Sequence, residues 1–167
     1  IASAAATFCA TLVDEWVNAG LRHAIVAPGS RSTPLAVALV ADRRVSVEIV
    51  HDERAAAFMA LGAGVDGIPA VLVCTSGTAA ANFLPAVVEA GLSDIPMLVC
   101  TADRPPELRG VGAPQTIDQI GLYGGSVRWF HDAPVPSDAD PTGWRRLARS
   151  AWQAARTGPV PAARRRA

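Results

Sequence analysis

Two runs constrain this chain more than anything else in it. Residues 70–75 read AVLVCT and residues 97–101 read MLVCT. Each has strand length, carries no charge and is continuously apolar rather than alternating. A strand of that composition must be covered on both faces, which is the condition of a parallel sheet under crossover helices. The residues between them, 79–91, have helical period, so strand, helix and strand follow in order.

The same rhythm extends in both directions. Ser3 is placed to cap a first helix that carries Phe8, Leu12, Val13 and Trp16 on one face and stops at Gly20. A short strand at 23–27 follows. A second helix opens at Ser32 or Thr33, with Pro34 at a tolerated early position. Residues 45–50 read as the second strand, and 53–66 as a helix around Phe58 and Leu61. Residues 127–130 read as a fifth strand. The last helix starts at Asp140-Pro141 and keeps Trp144, Leu147, Ala148, Ala151 and Trp152 in register. The expected fold is α/β: a doubly wound, mainly parallel sheet with helices on both faces.

Composition narrows the chemistry. The 167 residues are half apolar, and their 15 basic and 15 acidic side chains cancel. That balance argues against a broadly basic nucleic-acid binder. Every basic residue is Arg, so no Schiff-base or phosphate-loop lysine is available within the chain. Cys9, Cys74 and Cys100 are odd in number and lack C-x-x-C spacing, which argues against a disulfide framework or a structural zinc site. Cys74 and Cys100 read as small core residues, and a cytoplasmic setting is expected. No signal peptide is visible and no apolar run is long enough to span a membrane. Residues 158–167 (GPVPAARRRA) read as a solvated, disordered or non-native tail.

Ligands of open parallel sheets bind beyond the carboxyl ends of the strands. Here those positions hold Pro28-Gly29-Ser30-Arg31-Ser32-Thr33, His51-Asp52-Glu53-Arg54, Ser76-Gly77-Thr78 and Asp103-Arg104-Pro105-Pro106-Glu107. The opposite connections, such as Asp66-Gly67-Ile68-Pro69, are plain turns. Each element also has a purely structural role open to it. The Pro-Gly-Ser turn serves strand-to-helix geometry, and Arg54 pairs with Asp52 or Glu89 on a wet face. His51 has no Ser or Cys partner at motif spacing, and the scattered His and carboxylates lack metal-ligand spacing. Arg31 and Arg104 can bind carboxylates through paired hydrogen bonds. Pattern alone therefore yields an anionic small-molecule site of unspecified chemistry.

Four phrases go further: APGSRSTPL (27–35), HDERAAAFMALG (51–62), VCTSGTAAANFLPAVVEA (73–90) and TADRPPELRGVGAPQTIDQ (101–119). Together they resemble the N-terminal, pyrimidine-binding domain of the 2-succinyl-5-enolpyruvyl-6-hydroxy-3-cyclohexene-1-carboxylate synthases, thiamine-diphosphate enzymes of menaquinone biosynthesis. The resemblance implies that Glu53 is the catalytic carboxyl group that hydrogen-bonds the cofactor's aminopyrimidine ring. It implies that Pro28 and Thr78 also line the cofactor pocket, and that Ser30, Arg31, Arg104 and Gln115 bind substrate. The implied reaction decarboxylates 2-oxoglutarate and adds the succinyl-semialdehyde unit to isochorismate, with thiamine diphosphate and Mg2+ as cofactors.

By the same resemblance, residues 1–157 form the pyrimidine-binding domain of a cytoplasmic homo-oligomer, dimer or tetramer. The family's middle domain and its diphosphate-binding domain have no counterpart here. The expectation is half of an active site, inactive alone. Two other readings stay open: a stand-alone pyrimidine-domain subunit of a two-chain thiamine-diphosphate decarboxylase, and a non-catalytic ligand-binding module. A dinucleotide-binding fold lacks its glycine fingerprint.

Overall fold

A computed structural model of the protein describes residues 3–137 and 141–157. Four parallel strands, β1 (His23–Val26), β2 (Ser46–Ile49), β3 (Ala70–Cys74) and β4 (Met97–Thr101), form one sheet in the order β2-β1-β3-β4. The helices are α1 (Ala4–Asn18), α2 (Thr33–Ala41), α3 (Glu53–Ala63), α4 (Thr78–Asn82), α5 (Leu84–Leu92) and α6 (Pro141–Thr157).

Side-chain alternation along the two central strands builds two cores. Ala24 and Val26 of β1, with Val71 and Val73 of β3, face Leu12, Trp16, Leu39, Ala148 and Trp152 from α1, α2 and α6. Ile25, Ala70, Leu72 and Cys74 point the other way, onto Ala56, Ala57, Ala60, Phe83, Ala86 and Val87 from α3, α4 and α5. All five residues of β3 are buried. Its uninterrupted apolar run is the consequence of having helices on both sides. The doubly wound expectation therefore holds.

Local signals set most boundaries. Ser3 caps α1, its side chain accepting from the Ala6 N–H at 3.2 Å, and Gly20 takes a positive φ of 109° beyond the last turn. Asp52 caps α3 by accepting from the N–H groups of Arg54 (2.9 Å) and Ala55 (3.2 Å). The single helix expected over 79–91 is two, α4 and α5, meeting at the fully buried Phe83. Pro85 has no N–H to continue the first ladder, so the helix restarts around it. The helix expected over 53–66 stops at Ala63, where Gly64 brings the backbone against the Pro96 carbonyl.

One expected element is absent. Residues 127–130 form no strand, and the outer edge of β4 is unpaired among the described residues. The segment is held by a side chain rather than by a backbone ladder: Arg128 donates to the Ala155 carbonyl at the end of α6 and to Asp94. A cavity of about 660 Å3, lined by Phe8, Leu12, Val99, Leu122 and Leu147 among others, borders both this segment and β4. Apolar alternation alone cannot make a strand without a neighbour at hydrogen-bonding distance. Asp140 and residues 158–167, where the sequence suggests a helix start and a tail, lie outside the described residues.

Candidate functional site

The strand order β2-β1-β3-β4 reverses between β1 and β3, where the chain turns from one side of β1 to the other. That switch point is where a doubly wound sheet opens a crevice. The loops leaving β1 and β3 are in close contact: a Cβ added to Gly29 would lie 2.4 Å from Thr75 Cβ. No side chain larger than hydrogen fits at position 29 without moving the end of β3.

Ser76 and Gln115 hold the crevice together. The fully buried Ser76 hydroxyl accepts from Arg31 Nη1 at 3.0 Å and donates to the Gln115 carbonyl at 2.8 Å. Gln115 returns a bond from Nε2 to the Ser76 carbonyl at 3.2 Å, and its backbone adopts a φ of 57°. This left-handed conformation is uncommon for a residue with a side chain, and here two hydrogen bonds to one partner fix it. Gly77 also has a positive φ, 82°, and packs against Gln115. Gln119, only 8% exposed, accepts from the Gly77 N–H at 2.6 Å and donates to the Ala102 carbonyl at 3.0 Å. Loops after β1, β3 and β4 are thereby tied into one wall.

That wall encloses a cavity of about 530 Å3 lined by Pro28, Gly29, Ser30, Arg31, Thr75, Arg104 and Gln115. The four residues expected to bind substrate all lie on it, with Pro28 from the expected cofactor set. Arg31 and Arg104 bring two guanidinium groups and make no ion pair among the described residues. Arg104 donates from Nη2 to the Pro114 carbonyl at 2.9 Å, while its Nε is enclosed and unpartnered. Two cations without carboxylates on one concave surface are suited to a ligand bearing carboxylates.

Glu53 and Thr78 are not part of that lining. Glu53 is the first residue of α3, at the end of edge strand β2, and is half-buried. Its carboxylate makes no hydrogen bond or ion pair within the described residues. The preceding Asp52 takes the Arg54 guanidinium instead, at 2.7 Å from Nη2, and this bond holds the Asp52 carboxyl well below the usual carboxylate range. Thr78 is exposed at the start of α4. His51 is exposed beside Asp52, and Cys74 is fully buried, its thiol pushed up chiefly by desolvation. Among the described residues no group of three or more His, Cys, Asp or Glu could hold a metal ion, and no helix is long and apolar enough to cross a membrane.

The family model described as "Thiamine pyrophosphate enzyme, N-terminal TPP binding domain" matches residues 6–122. The chain belongs to this family. Curated relatives include proteins named 2-succinyl-5-enolpyruvyl-6-hydroxy-3-cyclohexene-1-carboxylate synthase. The Thermobifida fusca protein is 56% identical over 155 residues, 89% of this chain and 28% of the relative. That of Chloroflexus aurantiacus is 58% identical over 121 residues, 72% and 21% of the two chains. That of Bacillus pumilus is 54% identical over 134 residues, 80% and 23%. The chain therefore spans only 21–28% of the length of these relatives.

The residues fit the cofactor that this thiamine pyrophosphate enzyme family binds. Hydrogen-bonding capacity for a heteroaromatic amine is present in the Glu53 carboxylate, whose oxygens make no bond among the described residues. Three contributors escaped the sequence: Thr75, Gln119 and the Arg109–Asp132 pair. Thr75 and Gln119 stand inside the resemblance phrases; Thr75 adjoins Ser76, whereas Gln119 bonds Gly77, 42 residues away, and carried no local signal. Asp132 carries no such signal, because its partner lies 23 residues away across a loop.

Proposed function

We propose that this chain supplies the pyrimidine-binding and substrate-anchoring part of a 2-succinyl-5-enolpyruvyl-6-hydroxy-3-cyclohexene-1-carboxylate synthase. The complete enzyme converts 2-oxoglutarate and isochorismate to that product with loss of carbon dioxide. The observation that carries the reading is the cavity that brings Ser30, Arg31, Arg104 and Gln115 together at the switch point. Its support is the common name of relatives more than 50% identical to the chain.

Thiamine diphosphate, when bound, supplies the nucleophile and the electron sink for decarboxylating a 2-oxo acid. The chain's own residues hold and orient. Glu53, at the start of α3, would hold the aminopyrimidine by a hydrogen bond, general acid–base work suited to a carboxyl group there. Pro28 and Thr78 would help to hold the ring. Arg31 and Arg104 each take a substrate carboxylate, and Ser30 and Gln115 orient the bound acid by hydrogen bonds. Each charge-assisted bond contributes about 1.5–3 kcal/mol when both partners are held. Mg2+ would be held with the cofactor's diphosphate by another part of the complete enzyme. The complete enzyme is a cytoplasmic homo-oligomer, dimer or tetramer, with its site shared between subunits.

The test is Glu53→Gln in the complete enzyme. Turnover falls by at least about 100-fold, the lower end of the range for a lost acid–base group, with the fold unchanged by circular dichroism. Carboligation at the wild-type rate would remove Glu53 from this role.

A further inference from the structure

We propose that Arg109 is a positioning residue that sets the place of Arg104, with Asp132 as its anchor; the inference rests on the substrate-site reading above. Arg109 lies outside the cavity wall formed by Arg31, Arg104 and Gln115. Its Nε donates to the Arg104 carbonyl at 2.9 Å and lies 3.0 Å from Asp103 Oδ2. Asp103 Oδ1 in turn accepts from the Arg104 N–H at 2.7 Å. Both backbone polar groups of Arg104 are therefore taken by one ion pair, Asp103–Arg109.

The far end of Arg109 is fixed as well. Nη1 and Nη2 donate to the two Asp132 oxygens at 2.9 and 3.3 Å. Planar two-point pairing defines direction as well as distance, which a lysine ammonium cannot reproduce. Arg104 has little else to orient it, since a single bond to the Pro114 carbonyl holds its guanidinium. Its reach into the cavity is thus set by where the Asp103–Arg104 peptide sits. A displacement of about 1 Å in a group that orients substrate is enough for a large loss of productive binding.

The experiment uses the complete enzyme loaded with thiamine diphosphate. KM is measured for 2-oxoglutarate and isochorismate, and equilibrium binding of 2-oxoglutarate by calorimetry. Arg109→Lys raises KM for the substrate that Arg104 holds by about tenfold, while kcat and cofactor affinity stay within about twofold. Asp132→Asn shifts KM in the same direction. On an Arg104→Ala background, Arg109→Lys adds nothing further, because the group it positions is gone. An unchanged KM in Arg109→Lys, or an equal penalty on both backgrounds, overturns the assignment and leaves Arg109 a structural clamp. If Arg104→Ala itself alters neither KM nor binding, the substrate-site reading fails and this inference falls with it. The wild-type response to Arg104→Ala thus separates the two failures.

Discussion

Arg31 donates from Nη1 to Ser76 Oγ at 3.0 Å, joining the loop after β1 to the loop after β3. The same hydroxyl donates onward to Gln115, so one buried oxygen sets two residues of the cavity wall. Ser76→Ala leaves the Arg31 guanidinium and the Gln115 carbonyl short of a partner. It should lower stability by about 1–3 kcal/mol, read as a fall in the urea midpoint at unchanged slope. Ser30→Ala is the contrast: this side chain is exposed and bonded to nothing in the described residues. Its stability should stay within about 0.5 kcal/mol of the parent. A destabilised Ser30→Ala, or a neutral Ser76→Ala, would reverse the division between wall and ligand contact.

Two glycines should respond in opposite directions to the same added methyl. Gly77 sits at φ 82°, and a Cβ there would lie 3.1 Å from both the Gln115 side chain and its carbonyl oxygen. Gly77→Ala should cost about 1–3 kcal/mol for this glycine-only backbone conformation alone and push Gln115 out of place. Gly62 lies within α3 with nothing near its absent Cβ. Gly62→Ala should stabilise the chain by about 0.5–1 kcal/mol, because glycine loses more freedom on entering a helix. Thermal melts of the two variants decide the matter, and equal shifts would contradict both placements.

The sheet was legible because burial on both faces leaves a local mark. The run at β3 has no polar residue to conceal its identity, and Ser3 and Pro34 mark helix starts within one turn. The site was legible for a related reason, since strand ends are predictable once strands are. The unread parts depend on partners distant in sequence. Nothing local to residues 127–130 reveals that β4 offers them no ladder, and nothing around Gln119 shows that it reaches Gly77, 42 residues away. Asp52 and Glu53 illustrate the limit from the other side. Of these neighbouring carboxylates only Asp52 is paired among the described residues, and only the geometry of Arg54 separates the two.

The cysteines give the alkaline limit of stability. Burial pushes the Cys9 thiol up to about 11, and raises Cys74 further. An unfolded thiol ionises near about 8.5. Because the folded values are raised, the neutral thiols contribute fully below that pH, and the contribution is lost as pH rises through the folded values. Urea midpoints should therefore hold level to about pH 8.5 and decline toward pH 11. Cys9→Ala should soften the decline. Iodoacetamide at pH 8 should leave Cys74 unlabelled until denaturant is added, since thiolate is the reactive form and this sulfur is buried. Rapid labelling of Cys74 in the native protein would place it in a far more open setting.

The acid limit rests on the opposite sign. Hydrogen bonds from Arg44 lower the Asp42 carboxyl to about 2, and Arg54 acts likewise on Asp52. In the unfolded chain these groups titrate near about 3.9. Folded values below the unfolded ones mean that the contribution is complete above about pH 4 and lost as pH falls toward 2. Stability should thus be flat from neutral pH down to about 5, then fall. Asp52→Asn separates the two tasks of that residue. Asn still accepts from the N–H groups that open α3, so the cap survives while the charge is gone. Its urea midpoint should lie between those of the parent and Asp52→Ala at pH 7, with a shallower fall below pH 4 that brings it toward the parent near pH 2. Asp52→Ala loses the cap too and should be weaker at every pH. If Asp52→Asn matched Asp52→Ala at neutral pH, the Arg54 ion pair rather than the cap would be what secures the start of α3, and with it the position of Glu53.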